Sequence, residues 1–353
     1  MIKPVKIGNH LIGSIESPPF IVAEMSGNHN HSLRRALDIV EAAAGAGVNA
    51  VKLQTYTADT LTIDSESDEF FMRDPEGLWK GKSLYELYRE AYTPWEWHEP
   101  IFKRCSELGI TAFSTPFDET AVDFLENLNV PAYKIASFEI NHLPLIERAA
   151  ATGKPLIIST GMAGISEIAE AVETAHKAGC DDIILLKCTS TYPASPEDSN
   201  LLTIPHMIDL FGLPVGLSDH TLGIGVSIAS VALGAAMIEK HFTISREEGG
   251  VDSAFSMNPS EMGTLVKEAF NTWQARGSIK YGPSSEKEKG SLDFRRSIYV
   301  VEDLKKGDQF TKRNIRIIRP GLGLSPKYYP YIIGKRASRD LNRGSAMKWD
   351  FIE

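Results

Sequence analysis

The sequence predicts an α/β fold: a closed (β/α)8 barrel of the TIM-barrel class, followed by a small, mostly β domain. Eight short apolar runs, near residues 20, 50, 112, 133, 157, 184, 216 and 238, alternate with segments that carry apolar residues at helical spacing. Near-continuous apolar strands are typical of a parallel sheet covered by helices. Eight such units over roughly 270 residues favour a closed barrel. An open doubly wound sheet is the alternative, but no glycine-rich dinucleotide fingerprint opens the chain.

Composition and charge narrow the class of protein further. The 353 residues are 42% hydrophobic and 24% charged, which is ordinary for a globular protein with a large core. The net charge of -9 argues against nucleic acid or an anionic membrane surface as the general partner. The three cysteines have no paired spacing, and no signal-like segment or run of about 18 apolar residues is present. We therefore expect a cytoplasmic protein with reduced thiols.

The elements of the barrel follow one another from the N-terminus. The run 19–24 (PFIVAE) predicts the first strand, and the turn-rich SGNHNHS after it leads into a helix with apolar residues at 33, 37, 40 and 44. The second strand is predicted at 49–55, and an aromatic-rich insertion at 57–93 is longer than a routine connection. Further strands are predicted at 110–115, 132–137, 155–159 and 182–188, and helices at 94–108, near 118–128, at 143–152 and at 165–178.

The character of the chain changes near residue 280. Residues 1–279 are predicted to form the barrel domain, and the polar, charged stretch 280–293 is predicted to be a linker. Residues 294–353 contain short β-like runs separated by Gly-Asp and Lys-Gly turns. A domain of about 60 residues has a thin core of its own, so we expect it to pack on another surface.

The stretch 214–241 predicts a strand, a loop, a helix and a second strand. The first strand ends near Ser218 and His220, and the second ends at Lys240 and His241. In a parallel barrel both ends lie at the same mouth, where active sites of this fold class are found. Two neutral imidazoles that converge there predict a binding site for a divalent metal, although two unrelated hydrogen-bonded histidines remain the alternative.

Other strand ends carry lysines and serines. Lys52 and Lys134 are each flanked by apolar residues, and buried lysines are unusual unless an anion pairs with them. Serines at neighbouring strand ends add hydroxyl donors, although any one of them alone is more typical of a turn cap. The combination predicts a small, phosphorylated, acidic ligand near the metal.

Long motifs at these strand ends resemble the sialic acid synthase family. The matching segments are AEMSGNHN (23–30), AVKLQTY (50–56), STPFDETAVDFL (114–125), YKIASFE (133–139), ISTGMA (158–163), KCTSTYPASPED (187–198), GLSDHTLGIG (216–225) and IEKHFT (238–243). The C-terminal segments RRSIYVVEDLKKGDQFT and RPGLGLSP resemble the antifreeze-like (SAF) domain that closes that family. The resemblance covers nearly the whole chain, in order.

This resemblance implies an enzyme that condenses phosphoenolpyruvate with an amino-sugar aldehyde and water and releases phosphate. It implies a divalent cofactor, Mn²⁺ or Mg²⁺, and a domain-swapped homodimer in which Arg319 reaches the partner's barrel. The implied residues are Glu24, Lys52, Lys134 and Glu139 for catalysis; Lys52, Lys134, Ser137, Ser159, Ser190 and Ser218 for phosphoenolpyruvate; Gln54, Tyr192, Asp252 and Arg319 for the sugar; and His220 and His241 for the metal. Ser190 stands where relatives often have Asn.

Two departures indicate the branch of the family. Neuraminate synthases usually have His-Cys-Thr where this chain has Lys187-Cys188-Thr189, and often Pro-Asp-His-Lys-Ala-Ser at 251–256, which here reads VDSAFS. Together with WKGKSLYELYREAYTPWEWH (79–98), these segments resemble the pseudaminic branch, whose sugar is a diacetamido-trideoxy-altrose. A neuraminate or legionaminic acid synthase is the alternative.

Two hypotheses from outside this family are the remaining alternatives. A barrel aldolase would form a Schiff base on Lys134 or Lys187, and borohydride trapping would reveal it. A non-catalytic sugar- or ice-binding protein would use the C-terminal domain, but an ice binder needs a flat, Thr-rich repeat that 294–353 does not show.

Overall fold

The computed structural model describes residues 2–14, 16–72 and 78–353, which form two compact units. The first unit is Met1–Gly277 and the second is Ser278–Glu353. The predicted linker, 280–293, falls within the second unit. It contains a short helix and a 3₁₀ turn, so it is more ordered than the sequence indicated.

The first unit is an eight-stranded parallel barrel, as predicted. A two-stranded antiparallel hairpin, β1 (Val5–Ile7) and β2 (His10–Ile12), precedes it. The closed sheet has the order β10-β3-β4-β5-β6-β7-β8-β9. Its strands are β3 (Phe20–Glu24), β4 (Ala50–Thr55), β5 (Thr111–Pro116), β6 (Tyr133–Ile135), β7 (Leu156–Ser159), β8 (Ile183–Cys188), β9 (Val215–Ser218) and β10 (Met237–His241).

Ten helices accompany the strands in the described part of this unit. Those after β3, β5, β6, β7 and β9 were predicted at nearly the observed positions. The long connection between β4 and β5 contains α2, α3 and α4, of which the last was predicted at 94–108. The helices are α1 (Leu33–Ala46), α2 (Ala58–Leu61), α3 (Leu84–Ala91), α4 (His98–Glu107), α5 (Glu119–Asn127), α6 (Leu143–Ala150), α7 (Ile165–Lys177), α8 (Thr203–Phe211), α9 (Gly225–Ala232) and α10 (Pro259–Arg276).

Local chemistry sets the ends of these helices. The Ser32 hydroxyl accepts a hydrogen bond from the backbone of Arg35 at the start of α1, and Gly47 ends that helix at φ 86°, a conformation that glycine adopts without strain. At α10, Asn258 and Glu261 form a reciprocal capping box around Pro259. Helix ends that are fixed in this way also fix the loops that follow each strand.

Because side chains alternate along the strands, the barrel unit has two apolar clusters, one inside the barrel and one between the strands and the helices. Val5 and Ile7 of the hairpin pack in one apolar cluster with Val22, Ala50 and other inward-facing strand residues, and this cluster fills the N-terminal end of the barrel. The outward-facing strand residues pack against the helices in a separate, larger cluster. Because side chains alternate along a strand, the residue two positions after each inward apolar residue also points inward, closer to the mouth.

The second unit is a small β-rich domain with its own core. It contains α11 (Glu286–Gly290), the antiparallel pair β11 (Ser297–Val300) and β12 (Ile315–Ile318), and α12 (Tyr329–Ile332). Isolated bridges extend the pairing, for example between Leu304 and Leu341. The core contains Ile298, Val300, Phe310, Ile315 and Ile332, all fully buried.

Candidate active site

A polar layer lies on top of the apolar interior, at the carboxyl ends of the strands. Val22, Ala50 and Met237 belong to the inner apolar cluster, and the residues two positions later are Glu24, Lys52 and Glu239. The same spacing places Lys134, Ser159, Cys188 and His241 inward. The strand register aligns Glu24 with Lys52 on one side and with His241 on the other. Predicted site residues from several strands therefore meet at one level of the barrel.

Two lysines and two glutamates form the centre of this layer. The Lys52 ammonium lies 2.6 Å from Oε2 of Glu24 and 3.6 Å from Oε1 of Glu239. The Lys134 ammonium lies 3.7 Å from the same oxygen of Glu239. Ser218 donates a hydrogen bond to that oxygen at 3.3 Å, and Thr115 accepts one from Lys52 at 3.2 Å. All four charged residues are at least 95% buried, so each charge depends on its neighbours.

Burial and ion pairing act in opposite directions on these four groups. Burial raises the pKa of Glu24 more than the adjacent Lys52 lowers it. Burial would also raise the pKa of Glu239, but Lys134 and Lys52 hold it below its usual range. Burial lowers the pKa of Lys134, whereas its effect on Lys52 is outweighed by Glu239 and Glu24, which raise that pKa. Glu239 is therefore the shared counter-ion of the two lysines.

Hydroxyl groups line the wall beside these lysines. Ser137 and Ser159 follow β6 and end β7, and both are buried. Gly161, at φ 41°, brings its backbone so close that a Cβ atom there would lie 2.7 Å from the hydroxyl oxygens of Ser137 and Ser190. The Ser190 hydroxyl is 3.7 Å from the Cys188 thiol. A side chain at position 161 would collide with both serines, so their close approach to the backbone requires glycine there.

Buried polar atoms without a hydrogen-bond partner concentrate in the same place. Among the described residues, seven side-chain atoms are of this kind, and six of them belong to the polar layer or its rim. Native proteins leave few such atoms unpaired, and those that exist are typical of ligand sites. The six atoms are Oε1 and Oε2 of Glu24, Oε2 of Glu139, Oγ of Ser159, Oε2 of Glu239 and Nδ1 of His241. Two of them still face a charged group: Oε2 of Glu24 is ion-paired with Lys52 at 2.6 Å, and Nδ1 of His241 lies 3.5 Å from Asp252.

The two histidines predicted to bind a metal lie side by side at the mouth. Their ring centroids are 5.3 Å apart. Nδ1 of His220 lies 2.8 Å from the carbonyl oxygen of Thr189, which orients the ring and leaves Nε2 for another partner. Burial lowers the pKa of His241 well below its usual value, so that imidazole is neutral. Burial also lowers the pKa of His220, but Cys188 and the carbonyl of Thr189 outweigh burial and raise that pKa above its usual value.

These two rings fit a divalent metal that keeps most of its coordination positions open. No group of three or more His, Cys, Asp or Glu side chains able to hold an ion exists among residues 2–14, 16–72 and 78–353. Two nitrogens alone leave the remaining positions to water and substrate, an arrangement that suits Mn²⁺ or Mg²⁺ better than a closed structural zinc site.

An outward-facing ion pair stands behind the histidines. Asp219 lies next to His220 in the sequence, and Lys240 lies next to His241. Their side chains point away from the barrel interior, and Nζ of Lys240 is 3.0 Å from Oδ2 of Asp219. Lys240 also donates to the carbonyl oxygen of Thr221 at 2.6 Å, and Asp219 accepts from the hydroxyls of Thr221 and Ser227. Both charges are buried. The pair thus ties the ends of β9 and β10 together.

Aromatic and acidic side chains surround the open side of the histidine pair. The Tyr192 ring lies 4.4 Å from His220, and Phe255 lies 4.9 Å from His241, centroid to centroid. Oδ2 of Asp252 is 3.5 Å from Nδ1 of His241 and accepts a hydrogen bond from Ser26. Burial raises the pKa of the Asp252 carboxyl.

The other predicted residues take distinct positions. Glu139 follows β6 on a 3₁₀ turn, and burial raises its pKa to about 7. Gln54 is two residues beyond Lys52 on the same face of β4 and is half-buried. Arg319 lies in the second unit, exposed, directly after β12. Lys187 points away from the interior and donates to Thr189 at 2.8 Å, which removes it from the inner layer.

Sequence reasoning missed three residues of the mouth. Glu239 and Cys188 give no signal of their own within their apolar runs, but the two-residue period of β10 and β8 places both inward. Trp79 belongs to the long β4–β5 connection, and its ring centroid is 5.8 Å from that of Tyr192. Only the fold shows that this connection returns to the mouth.

Comparison with known proteins identifies the class and then the family. Residues 39–281 match the sequence profile of the NeuB family, and residues 295–353 match that of the SAF domain. The molecule is thus a barrel synthase-type chain with a C-terminal SAF domain. It belongs to the NeuB family.

Individual relatives span the whole chain. The pseudaminic acid synthase of Helicobacter pylori is 42% identical over 336 residues, covering 95% of this chain and 98% of that protein. The pseudaminic acid synthase of Campylobacter jejuni is 41% identical over 344 residues and covers 98% of each. The crystal structure of N-acetylneuraminic acid synthetase from Leptospira borgpetersenii, in complex with citrate, superposes with a TM-score of 0.73 at 33% identity. It covers 84% of this chain and 97% of that one.

The helices of the described ranges are too short or too polar to cross a lipid bilayer.

Proposed function

We propose that this protein is a pseudaminic acid synthase. It condenses phosphoenolpyruvate with 2,4-diacetamido-2,4,6-trideoxy-L-altrose and water, and it releases phosphate. The observation that carries the proposal is the buried layer in which Lys52 and Lys134 share Glu239 beside the histidine pair, because this layer combines a cationic anion site with a place for an electrophile. The names of the two full-length relatives support the choice of sugar.

The lysines and serines hold phosphoenolpyruvate. Its carboxylate and phosphate supply the negative charge that the ammonium groups of Lys52 and Lys134 need in a buried site. The hydroxyls of Ser137, Ser159 and Ser190 donate to the remaining oxygens. Ser218, which donates to Glu239, keeps that carboxylate in place.

His220 and His241 would hold the divalent ion, which when bound polarises the aldehyde oxygen of the open-chain sugar as a Lewis acid. Tyr192, Asp252 and Gln54 line the space where that sugar lies. The pair Asp219–Lys240 keeps the two histidine-bearing strand ends at a fixed separation.

The reaction forms one C–C bond and breaks one C–O bond. C3 of phosphoenolpyruvate attacks the aldehyde carbon, and the aldehyde oxygen takes a proton from the Glu139 carboxyl, which its pKa of about 7 keeps partly protonated near neutral pH. Water adds to C2 and gives a proton to Glu24, whose Oε1 has no hydrogen-bond partner within the described structure. The C2–O bond to phosphate then breaks and phosphate leaves with that bonding pair. The new hydroxyl oxygen forms the C2 carbonyl, and its proton passes to the departing phosphate.

A second copy of the chain is proposed to complete the site. The loops after β6, β7, β8 and β9 expose large apolar side chains around the mouth, each more than half exposed; these are Phe138, Met162, Ile165, Leu202 and Leu222. The SAF domain exposes Phe294, Leu322 and Arg319. An apolar rim of this kind is typical of an interaction surface. We assign it to the partner's SAF domain, whose Arg319 guanidinium suits the sugar's hydroxyls and carbonyls.

Phosphate release across candidate sugars tests the function. Purified protein with phosphoenolpyruvate should release phosphate with the diacetamido-trideoxy-altrose and much less with N-acetylmannosamine or the manno-configured legionaminic precursor. Mass spectrometry should identify a nonulosonic acid product. Preference for either alternative sugar would assign the chain to the neuraminate or legionaminic branch, and no phosphate release with any would refute a synthase.

Subunit complementation tests the shared site. Arg319→Ala and His220→Ala chains are mixed under conditions that allow exchange, so that a mixed dimer carries both lesions in one site and leaves the other whole. Activity should reappear. The matched control mixes His220→Ala with His241→Ala, which damages every barrel and should restore nothing. If subunit exchange is proven and neither mixture regains activity, the swapped arrangement is contradicted.

A further inference from the structure

Trp79 is the residue of the long β4–β5 connection that reaches the mouth of the barrel. Its indole Nε1 donates a hydrogen bond to the carbonyl oxygen of Val251 at 3.1 Å. Val251 directly precedes Asp252, which contacts His241. The indole is therefore fixed against the loop that follows β10, and its half-buried ring retains accessible surface.

The indole extends an aromatic surface that begins at the histidine pair. Tyr192 lies 4.4 Å from His220, and Trp79 lies 5.8 Å from Tyr192, measured between ring centroids. Phe255 supports Tyr192 from another side at 5.4 Å. These two centroid distances together place the Trp79 ring within about 10 Å of the His220 ring, at the outer end of this aromatic surface.

We infer that Trp79 and Tyr192 bind the deoxygenated, methyl-bearing end of the sugar and select 6-deoxy over 6-hydroxy substrates. This inference rests on the proposed function, which places the aldehyde carbon at His220 and His241. The five C–C bonds of an open hexose chain, about 1.5 Å each, extend about 6 Å from that carbon. The far end of the sugar then lies near the indole, beyond Tyr192.

The chemistry of the indole fits a methyl group and opposes a hydroxyl group. Alkyl groups pack well against the face of an aromatic ring. The only polar atom of a tryptophan side chain is its N–H, and here Val251 accepts that hydrogen bond. A sugar hydroxyl placed against the ring would lose its water and gain no bond from the indole, which disfavours its binding.

Steady-state kinetics with a matched pair of sugars tests the inference. The sugars are 2,4-diacetamido-2,4,6-trideoxy-L-altrose and its 6-hydroxy counterpart, at saturating phosphoenolpyruvate. We expect the unaltered protein to favour the 6-deoxy sugar in kcat/KM by about 10- to 200-fold, the range for one small group in an apolar pocket. Trp79→Ala should lower this ratio about 10-fold by raising KM for the 6-deoxy sugar, with KM for phosphoenolpyruvate unchanged.

Further variants separate recognition from stability. Trp79→Phe should retain most of the preference, and Trp79→Gln, whose amide offers hydrogen bonds, should shift it towards the 6-hydroxy sugar. Trp273→Ala is the control, because that tryptophan is also half-buried but lies on α10, within the helical layer; its sugar ratio should not change. Sugar binding should alter the tryptophan fluorescence of the unaltered protein but not that of Trp79→Phe.

The outcomes are distinguishable. An unchanged ratio in folded Trp79→Ala and Trp79→Gln, with the same fluorescence response in Trp79→Phe, would overturn the role of Trp79 and leave the proposed function standing. If the unaltered protein releases no phosphate with either sugar, the proposed function and this inference are refuted together.

Discussion

Replacing Glu139 by Gln should stabilise the barrel unit and at the same time impair catalysis. Burial raises the pKa of this carboxyl from 4.5 to about 7. A carboxyl whose pKa is higher in the folded state binds more protons there, so stability falls as pH rises from about 4.5 to about 7 and stays lower above that range. At 1.36 kcal/mol per unit, ionisation of Glu139 costs about 3 kcal/mol at pH 8.

Denaturant unfolding at two pH values measures this cost. Four of the five tryptophans lie in the first unit, so intrinsic fluorescence follows the barrel. Glu139→Gln should raise the free energy of unfolding by about 3 kcal/mol at pH 8 and by much less at pH 5, where the native carboxyl is already protonated. The same variant should lose about 10²- to 10⁴-fold in kcat, the usual contribution of a proton donor.

A matched control comes from an exposed acid. Glu119→Gln changes a surface carboxylate at the start of α5 and should show no such difference between the two pH values. Equal stabilisation of Glu139→Gln at pH 5 and pH 8 would refute the assigned ionisation. An unchanged kcat would refute its role as proton donor.

Three further predictions concern the charged groups and the metal. Lys134→Ala should raise KM for phosphoenolpyruvate at least ~30-fold, since truncating one partner of a buried charge pair costs about 2 kcal/mol or more, and an unchanged dependence on that substrate would make the lysine structural. Asp219→Asn should lower the free energy of unfolding by about 3–5 kcal/mol because it leaves the buried Lys240 ammonium without its counter-ion, and a loss below about 1 kcal/mol would contradict that role. Exhaustive chelation should abolish phosphate release and added Mn²⁺ or Mg²⁺ should restore it, whereas full activity of the metal-free protein would exclude the metal requirement.

The fold could be predicted because each strand of the barrel is buried on both faces. Runs such as 19–24 and 182–188 are almost wholly apolar, and helices with apolar residues at regular spacing separate them. The predicted linker contains a feature that its charged composition does not indicate, since Ser285 caps a short helix there. Local capping decided that structure, and composition alone does not report it.

The site could be predicted in its residue types but not in its charge balance. Lys52, Lys134 and His241 were found because lysines and histidines are unusual at the end of an apolar run. Glu239 was missed because it lies within such a run, one position before Lys240, and a single carboxylate there gives no pattern. The two-residue period would have placed Glu239 inward and Lys240 outward. The return of Trp79 to the mouth depends on tertiary packing, which no local pattern encodes.

Glu239 explains how two lysines can be buried in one site before an anionic substrate binds. Without a ligand, a lone ammonium in the barrel would lose its proton or draw in water, because burial strongly disfavours the charged form. Glu239 lies within 3.7 Å of both Lys52 and Lys134 and supplies one negative charge between them. Glu24 is a second carboxylate beside Lys52, at 2.6 Å, whereas Lys134 is 3.7 Å from Glu239, and burial keeps the pKa of Lys134 below its usual value. An incoming phosphate and carboxylate complete the balance, so phosphoenolpyruvate binding should raise the pKa of Lys134. Calorimetry in buffers of different ionisation enthalpy, repeated over a range of pH, measures the linked proton uptake, and the absence of uptake at every pH would contradict this coupling.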